Sequence, residues 1–368
     1  MATYYFRNTG DVNWGTSSNW SLTSGGGATG AVPTSSDDAV FDASSGNCTV
    51  NTSARVCLTI NFTNYTNTIT MSNTITVSGN VTLGASMGIS GSSALIINAT
   101  STLTSNGKIW SSGLTFSGTS ITFTLADNWS VSGVVSLSGT TASTINGNTL
   151  TSSGNLTSTT TATTSGTTTI SLTGGTWSNS STGALRNNLT FTSGTITVSG
   201  TVRYDTGTLT YTSGTVTTTS STLTIGASTT LNTNGITWNN VTFSTDATIT
   251  LSSNLTINGT MTTGTLSALT INGNSILLNG SLLVGQNNNV SGTTNIIFQG
   301  TGTWNSATNS NCLITNNITI NTSGTITIGN NGNTVRYNTG TLTYTNGTVV
   351  TSGSSIRFAG TQTIDTGT

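Results

Sequence analysis

Residues 68–83 read Thr68-Ile-Thr-Met71-Ser-Asn-Thr74-Ile-Thr-Val77-Ser-Gly-Asn80-Val-Thr-Leu83. Each of the three short runs 68–71, 74–77 and 80–83 alternates a polar residue, Thr or Asn, with an apolar residue, Ile, Met, Val or Leu. Two small polar residues, Ser-Asn or Ser-Gly, separate one run from the next. A period of two puts the aliphatic side chains on one face of a strand and the Thr side chains on the other. The stretch therefore predicts very short strands joined by frequent corners.

The same pattern continues far along the chain, as in Thr195-Ile-Thr-Val198 and Thr222-Leu-Thr-Ile225. Thr is β-branched and favours strands, while Asn and the 44 Gly are expected to supply corner residues with positive φ. Glu is absent and helix-forming residues are scarce, so helices should be almost absent. Only 4% of the residues are charged and the net charge is −1, which offers no basic surface for nucleic acid or anionic membrane.

A long block of the sequence occurs twice, at about 103–235 and 231–368, with a short overlap at the boundary. Leu103-Thr-Ser-Asn-Gly-Lys-Ile-Trp110 returns as Leu231-Asn-Thr-Asn-Gly-Ile-Thr-Trp238, and Thr201-Val-Arg-Tyr204 returns as Thr334-Val-Arg-Tyr337. Duplication on this scale is typical of architectures in which each unit contacts mainly its neighbours.

Short strands, frequent corners and a narrow apolar interior predict an all-β fold, a parallel β-helix (β-solenoid) over 66–368. Tandem β-sandwich domains are the alternative, because each copy has about the size of one such domain. Residues 1–65 differ in composition and are expected to form an N-terminal cap over the open end of the solenoid. The bulky residues that would cover the first turn are Trp14, Trp20 and Pro33.

The residue types needed for common catalytic chemistry are missing. Without His, catalysis by Ser-His-Asp or Cys-His groups and metal binding by His are excluded. Asp127, Asp205 and Asp246 are isolated acids, whereas glycoside cleavage usually needs two acids on one face. Asp205 corresponds to Asn338 in the second copy, which favours exposed turn residues. The sequence predicts a non-enzymatic protein without a cofactor.

Two sets of residues are candidates for binding. Asp37, Asp38 and Asp42 could gather around Ca²⁺, although their spacing matches no known calcium loop and turn capping is the alternative. The repeated pairs Arg203-Tyr204 and Arg336-Tyr337 are candidate surface contacts, where a sugar could stack; packing of Arg along its Tyr neighbour is the alternative.

The cysteines do not form a disulfide framework. Cys48 and Cys57 could be bridged across adjacent strands or buried as small apolar residues, and Cys312 is expected in the core. The first residues lack the features of a secretory signal peptide, and no apolar run reaches the ~20 residues of a membrane span. No membrane partner is therefore expected.

The string Asn13-Trp-Gly-Thr-Ser-Ser-Asn-Trp-Ser21, the string Val32-Pro-Thr-Ser-Ser-Asp-Asp38 and the repeats that follow resemble β-solenoid proteins of bacteriophage fibres and bacterial adhesins. This sequence pattern is also similar to that of fibre-like proteins of environmental viruses. The resemblance implies a location on a virion or cell surface, a structural or host-contacting role, and no catalytic residue.

Three functions follow as hypotheses. The first is a structural solenoid of a virion appendage or surface filament, which assembles through its ends with itself or with another structural protein. The second is an adhesin or tailspike that binds a cell-surface glycan. The third is an ice-binding solenoid. Rows of outward Thr side chains would favour this function, whereas the replacement of Thr by other residues between the two copies argues against a regular row.

Overall fold

The computed structural model describes residues 1–139, 142–158, 163–179, 183–264, 266–286, 288–307, 312–329, 333–351 and 353–366. The chain divides into two compact units, Met1–Gly183 and Ala184–Thr368. The secondary structure of the described residues is β-strand, apart from the short 3-10 helix Ser17–Asn19. In each unit the chain winds through three rows of strands, and one turn contributes one strand to each row.

The strands of the first unit are short and mostly parallel. Its first row contains Thr3–Phe6, Asp38–Val40, Ile60–Asn61, Val81–Thr82, Ser101–Thr104, Thr122–Leu125, Ser143–Gly147 and Thr163–Ser165. Its second row contains Cys48–Val50, Thr68–Met71, Gly88–Gly91, Ile109–Trp110, Trp129–Val131, Leu150–Ser152 and Thr169–Leu172. Its third row contains Arg55–Cys57, Ile75–Val77, Leu95–Ile97, Leu114–Ser117, Val135–Ser138, Leu156–Ser158 and Gly175–Asn179. Trp20–Ser21 pairs antiparallel with Thr3–Phe6.

The second unit repeats this plan. Its first row contains Ala184–Leu185, Thr201–Tyr204, Thr222–Ile225, Asn240–Phe243, Thr260–Thr263, Ser281–Val284 and Gly302–Ser306. Its second row contains Asn188–Phe191, Thr208–Tyr211, Thr229–Asn232, Ala247–Leu251, Leu269–Gly273, Asn289–Ser291, Leu313–Ile314, Thr334–Tyr337 and Ser355–Phe358. Its third row contains Thr195–Ser199, Thr215–Thr217, Thr237–Trp238, Leu255–Ile257, Ile276–Leu278, Ile296–Phe298 and Gln362–Asp365. Two long strands, Ile318–Ile328 and Gly340–Thr351, each continue from the third row into the first.

The predicted β-solenoid is confirmed, and the alternative of tandem β-sandwiches is wrong. Most of the described strands pair in parallel with a strand one turn away, whereas a sandwich is built from antiparallel sheets. Arg55 pairs with Ile75, and Val241 pairs with Met261, a separation of 20 residues in both cases (75 − 55 and 261 − 241).

The core follows the alternation read from the sequence. In the opening stretch Ile69, Met71, Ile75 and Val77 are fully buried, and the Thr residues between them are partly exposed. Burying an aliphatic side chain of this size stabilises a fold by roughly 1.5–3 kcal/mol. The interior of each unit is therefore a column of small apolar layers, one for each turn.

The two sequence copies do not differ by a whole number of turns. In the second unit Thr201–Tyr204 lies in the first row, between Ala184–Leu185 and Thr222–Ile225. Its copy Thr334–Tyr337 lies in the second row, between Leu313–Ile314 and Ser355–Phe358. Equivalent residues of these two strings thus lie on different rows. A surface feature present in both strings does not form one continuous patch.

Asn residues have a role at the corners that the sequence analysis missed. The expectation that Asn supplies positive φ is wrong for most of them, since Asn106 is the single Asn with positive φ among the described residues. Instead, many corner Asn side chains accept a hydrogen bond from a backbone N–H one turn later. Examples of the Oδ1 acceptor and the donating residue are Asn47 with Thr68, Asn80 with Thr102, Asn128 with Thr149, Asn155 with Thr176, Asn188 with Thr208, Asn240 with Thr260, Asn254 with Ser275 and Asn317 with Thr341.

This arrangement satisfies backbone donors where the chain leaves the strand ladder. Asn240 Oδ1 accepts from Thr260 N at 2.8 Å. A Cβ on Gly259 would lie 2.3 Å from the same Oδ1, so glycine leaves room for the amide. The corner thus needs a matched Asn and Gly on consecutive turns.

We expect Asn240→Ala to lower the free energy of unfolding by about 1 kcal/mol, because the Thr260 N–H loses its acceptor. Asn240→Asp should retain most of the stability, since a carboxylate can accept the same bond. Asp246 already accepts two backbone N–H groups from Ser267 and Ala268. Urea denaturation of the three proteins measures the difference, and equal losses for Ala and Asp would contradict this role.

Candidate functional site

The most concentrated group of charges in the described residues surrounds Asp205, in the second unit. Its carboxylate is almost completely buried, with 1% of the side chain exposed. Arg203, two residues earlier, donates from Nε to Oδ1 at 2.7 Å. Arg186, one turn earlier, donates from Nη2 to Oδ2 at 3.1 Å and from Nε to Oδ2 at 3.3 Å. Two guanidinium groups therefore hold one buried carboxylate and tie two turns together.

Local sequence makes room for this cluster. A Cβ on Gly226 would lie 2.1 Å from Asp205 Oδ1 and 2.6 Å from Arg203 Nη2. Glycine on the following turn is therefore required by the close approach of the charged groups. The expectation that Asp205 is an exposed turn residue is wrong, because its partner Arg186 is distant in sequence and adjacent in space. Arg186 and Asp205 are 19 residues apart in the sequence, which is close to the length of one turn. The sequence alone did not reveal that length, so the pair could not be recognised.

The candidate surface contacts are only partly at the surface. Tyr204 and Tyr337 are fully buried, and their hydroxyls donate to the carbonyl oxygens of Asn187 and Asn316, both at 3.1 Å. Burial raises the pKa of Tyr204, and it raises the pKa of Tyr337 to about 12. The prediction that these rings contact a ligand at the surface is wrong, because inward alternation places them in the core.

The arginines of the two pairs are partly exposed. The Arg203 side chain is 31% exposed and is occupied by Asp205. Arg336 is partly exposed in the strand Thr334–Tyr337 of the second row. The structure does not bring the two arginines into one row, so they do not form a joint contact site.

The acidic residues considered for Ca²⁺ are used in local hydrogen bonds. Asp37 accepts from the Thr34 hydroxyl at 2.6 Å and from the Ala2 N–H at 2.8 Å. The Thr34 hydroxyl is the main cause of a lowered pKa of the Asp37 carboxyl. Asp38 accepts from the Thr59 hydroxyl at 2.6 Å, and Asp42 accepts from the Ser44 N–H at 2.8 Å.

These contacts are those of turn and strand-end caps. The described residues contain no group of three or more His, Cys, Asp or Glu side chains arranged to hold a metal ion. Asp127 acts in the same way as the acids of the N-terminal segment, since its two oxygens accept the backbone N–H groups of Ser105 and Asn106, both at 2.7 Å.

An aromatic cluster lies at the beginning of the first unit. Phe6, Trp14 and Trp20 pack against Phe41, with ring centroids 5.2 to 5.7 Å apart. Phe41 in turn stacks on Phe62 of the next turn at 4.7 Å. Trp14 and Trp20 are completely buried, and Pro33 is also buried. Trp14 and Trp20 thus pack on Phe41, which directly follows the strand Asp38–Val40. That strand already belongs to the first row, so the solenoid begins within residues 1–65 and not at the predicted residue 66.

The three cysteine thiols are free and buried. Burial is the main cause of a raised pKa for both Cys48 and Cys57, which keeps the thiols neutral and unreactive. Cys312 lies in the core as predicted, with 3% of its surface exposed. None of the three has the exposed, electropositive surroundings of a reactive cysteine.

No family model, curated protein or solved structure matches this chain. In the described part of the chain, no helix has the length and apolar character needed to cross a membrane.

Proposed function

We propose that this protein is a non-enzymatic structural solenoid, a component of a virion appendage or of an extracellular surface filament. The observation that supports the proposal is the turn-to-turn use of its polar groups. Corner Asn side chains cap the backbone of the next turn, and acids such as Asp205 and Asp127 bind groups on neighbouring turns. This polar chemistry stabilises the stack itself.

The surface composition supports the same proposal. Outward positions of the strands are mostly Thr, Ser and Asn, which keep the surface hydrated at very low charge. Such a surface suits a scaffold that displays or spaces other components. The protein acts by assembling with copies of itself or with another structural protein.

Assembly and catalysis can be tested on the purified full chain. Sedimentation velocity and negative-stain electron microscopy at micromolar concentration should show assemblies larger than one chain. Incubation with bacterial polysaccharides should release no reducing ends. Antibodies against the protein should label virions or cell surfaces in the source sample. A strictly monomeric protein that cleaves polysaccharide would overturn the proposal.

The ice-binding alternative depends on outward Thr rows, and the second row of the second unit contains one. Thr208, Thr230 and Thr250 pair in register on consecutive turns. The row of Thr residues ends at Thr250, because Asn272 occupies the next position. On the other side of the row, the corner residue Asn188 lies one turn before Thr208. Thermal hysteresis of the purified protein tests this alternative directly, and measurable hysteresis would favour it over the structural role.

A further inference from the structure

Among the described strands, the ladder is interrupted once in the first unit and once in the second unit. In the first unit, Gly88–Gly91 ends a sheet and pairs with Thr68–Met71, while Ile109–Trp110 begins another sheet and pairs with Trp129–Val131. In the second unit, Thr215–Thr217 ends a sheet, and Thr237–Trp238 pairs with the following strand Leu255–Ile257. Within the described residues, no ladder joins the two strands at either break.

A groove opens at each break. The first groove is an open depression of about 410 Å³, lined by Ala85, Ile89, Gly107, Lys108, Ile109 and Ser111. The second groove is an open depression of about 310 Å³, and its lining includes Val216, Thr217, Thr218, Thr219, Thr237 and Asn239. Both grooves are open to solvent, so a ligand in either of them would be only partly buried.

The two grooves are related by one sequence offset. The offset from Trp110 to Trp238 is 128 residues (238 − 110), and it also relates Ile89 to Thr217, Ile109 to Thr237 and Ser111 to Asn239. The three related pairs line the two grooves. None of these pairs is identical and Ile89 precedes the repeated block, so the grooves correspond in position and differ in side-chain chemistry.

Hydroxyl groups bridge the turns beside each break. Ser111 Oγ donates to the Ile89 carbonyl at 3.1 Å, and Ser112 Oγ donates to the Gly91 carbonyl at 2.7 Å. In the second groove, Thr218 Oγ1 donates to the Thr237 carbonyl at 2.6 Å. These bonds keep the adjacent turns within reach of one side chain. An additional peptide strand, which needs ~4.8 Å on each side, does not fit between them.

The lining suits a sugar ring better than a purely apolar ligand. The second groove presents hydroxyl and amide groups from Thr217, Thr219, Thr237 and Asn239, which can donate to and accept from sugar hydroxyls. The first groove combines an apolar surface with a cation. Ile109 is 57% exposed, which is unusual for a large aliphatic side chain. Lys108 is the single lysine of the chain and makes no ion pair among the described residues.

We propose that the two grooves are saccharide-binding sites, the first for a sugar that carries a carboxylate and the second for a neutral sugar. In the first groove Lys108 contacts the carboxylate, and Ile109 packs against the C–H face of the ring. In the second groove the Thr and Asn side chains bind ring hydroxyls. This inference does not depend on the structural role proposed above, because a scaffold and a glycan contact can exist in the same chain.

The test uses the full chain and a matched pair of sugar sets, uronic-acid-containing oligosaccharides and their neutral counterparts, with binding followed by saturation-transfer NMR and calorimetry. Lys108→Gln should weaken binding of the acidic set roughly tenfold, the effect of losing one charge-assisted contact. It should leave binding of the neutral set unchanged. Asn239→Ala should weaken the neutral set and spare the acidic set.

Two further variants serve as controls. Arg357→Gln removes an exposed cation outside both grooves and should change neither set. Ile109→Thr introduces the residue that the second copy has at Thr237, so folding should be preserved while acidic binding falls. The proposal is overturned if neither sugar set binds, if Lys108→Gln and Arg357→Gln weaken acidic binding equally, or if an extended peptide binds the grooves in place of sugars.

Discussion

Phe41→Ala is expected to lower the free energy of unfolding of the first turns by about 3–5 kcal/mol, the range for truncating a fully buried Phe. Phe41 is 1% exposed and contacts five aromatic rings, those of Phe6, Trp14, Trp20, Phe62 and Tyr65. The cavity would separate the N-terminal aromatic residues from Phe62 on the next turn. The part of the chain that carries Phe6, Trp14 and Trp20 should then detach before the rest of the unit unfolds.

Hydrogen exchange followed by mass spectrometry localises this effect, because turns in a repeat architecture contact mainly their neighbours. Peptides from residues 1–65 should lose protection in Phe41→Ala, while peptides from 240–264 should keep it. Phe243→Ala is the matched control, since Phe243 is equally buried and lies in the second unit. If Phe41→Ala leaves the exchange of residues 1–65 unchanged, the aromatic cluster does not hold that segment in place.

The sequence was sufficient for the fold class and for the direction of most side chains. Alternation placed Ile69, Met71, Ile75 and Val77 in the core because burial along a short strand depends only on which face a residue occupies. This information is local. It needs no knowledge of which strands become neighbours.

The length of a turn could not be obtained in the same way. Apolar runs begin at 241, 255, 269, 282 and 296, a spacing of 13 to 14 residues. The structure shows that Val241 pairs with Met261 and Leu255 with Ile276, so this spacing covers two of the three strands in a turn. All three strands carry the same alternation, and nothing in the pattern marks where one turn ends.

The unknown length of a turn also limited the prediction of the candidate sites. Without it, Arg186 and Asp205 could not be recognised as neighbours on consecutive turns, and Tyr204 was read as a surface residue next to Arg203. The grooves were also invisible, since an interrupted ladder depends on pairing between strands a turn apart. Comparison of the two sequence copies nevertheless identified one residue beside each groove. Trp110 directly follows the exposed residue Ile109, and Trp238 directly follows the exposed residue Thr237.

The double variant Arg186→Gln, Arg203→Gln is expected to lose about 3–5 kcal/mol of stability, because it leaves the buried Asp205 carboxylate without a cation. Asp205→Asn should cost less, about 1–2 kcal/mol. The two Arg side chains are 42% and 31% exposed and can be solvated when the acid is removed. The second sequence copy supports the smaller loss of stability for Asp205→Asn, since Asn338 occupies the position that corresponds to Asp205. Its N–H donates to the Ile314 carbonyl at 2.9 Å, as the Asp205 N–H does to the Leu185 carbonyl at 3.1 Å.

A triple variant separates an electrostatic cause from a loss of packing. The triple variant that also carries Asp205→Asn has no charge to bury, so it should be more stable than the double variant. Urea denaturation measures the double variant, the triple variant and the unchanged protein. If the triple variant is no more stable than the double variant, the arginines act through packing of their side chains, and the ion pairs with Asp205 do not determine the stability of these turns.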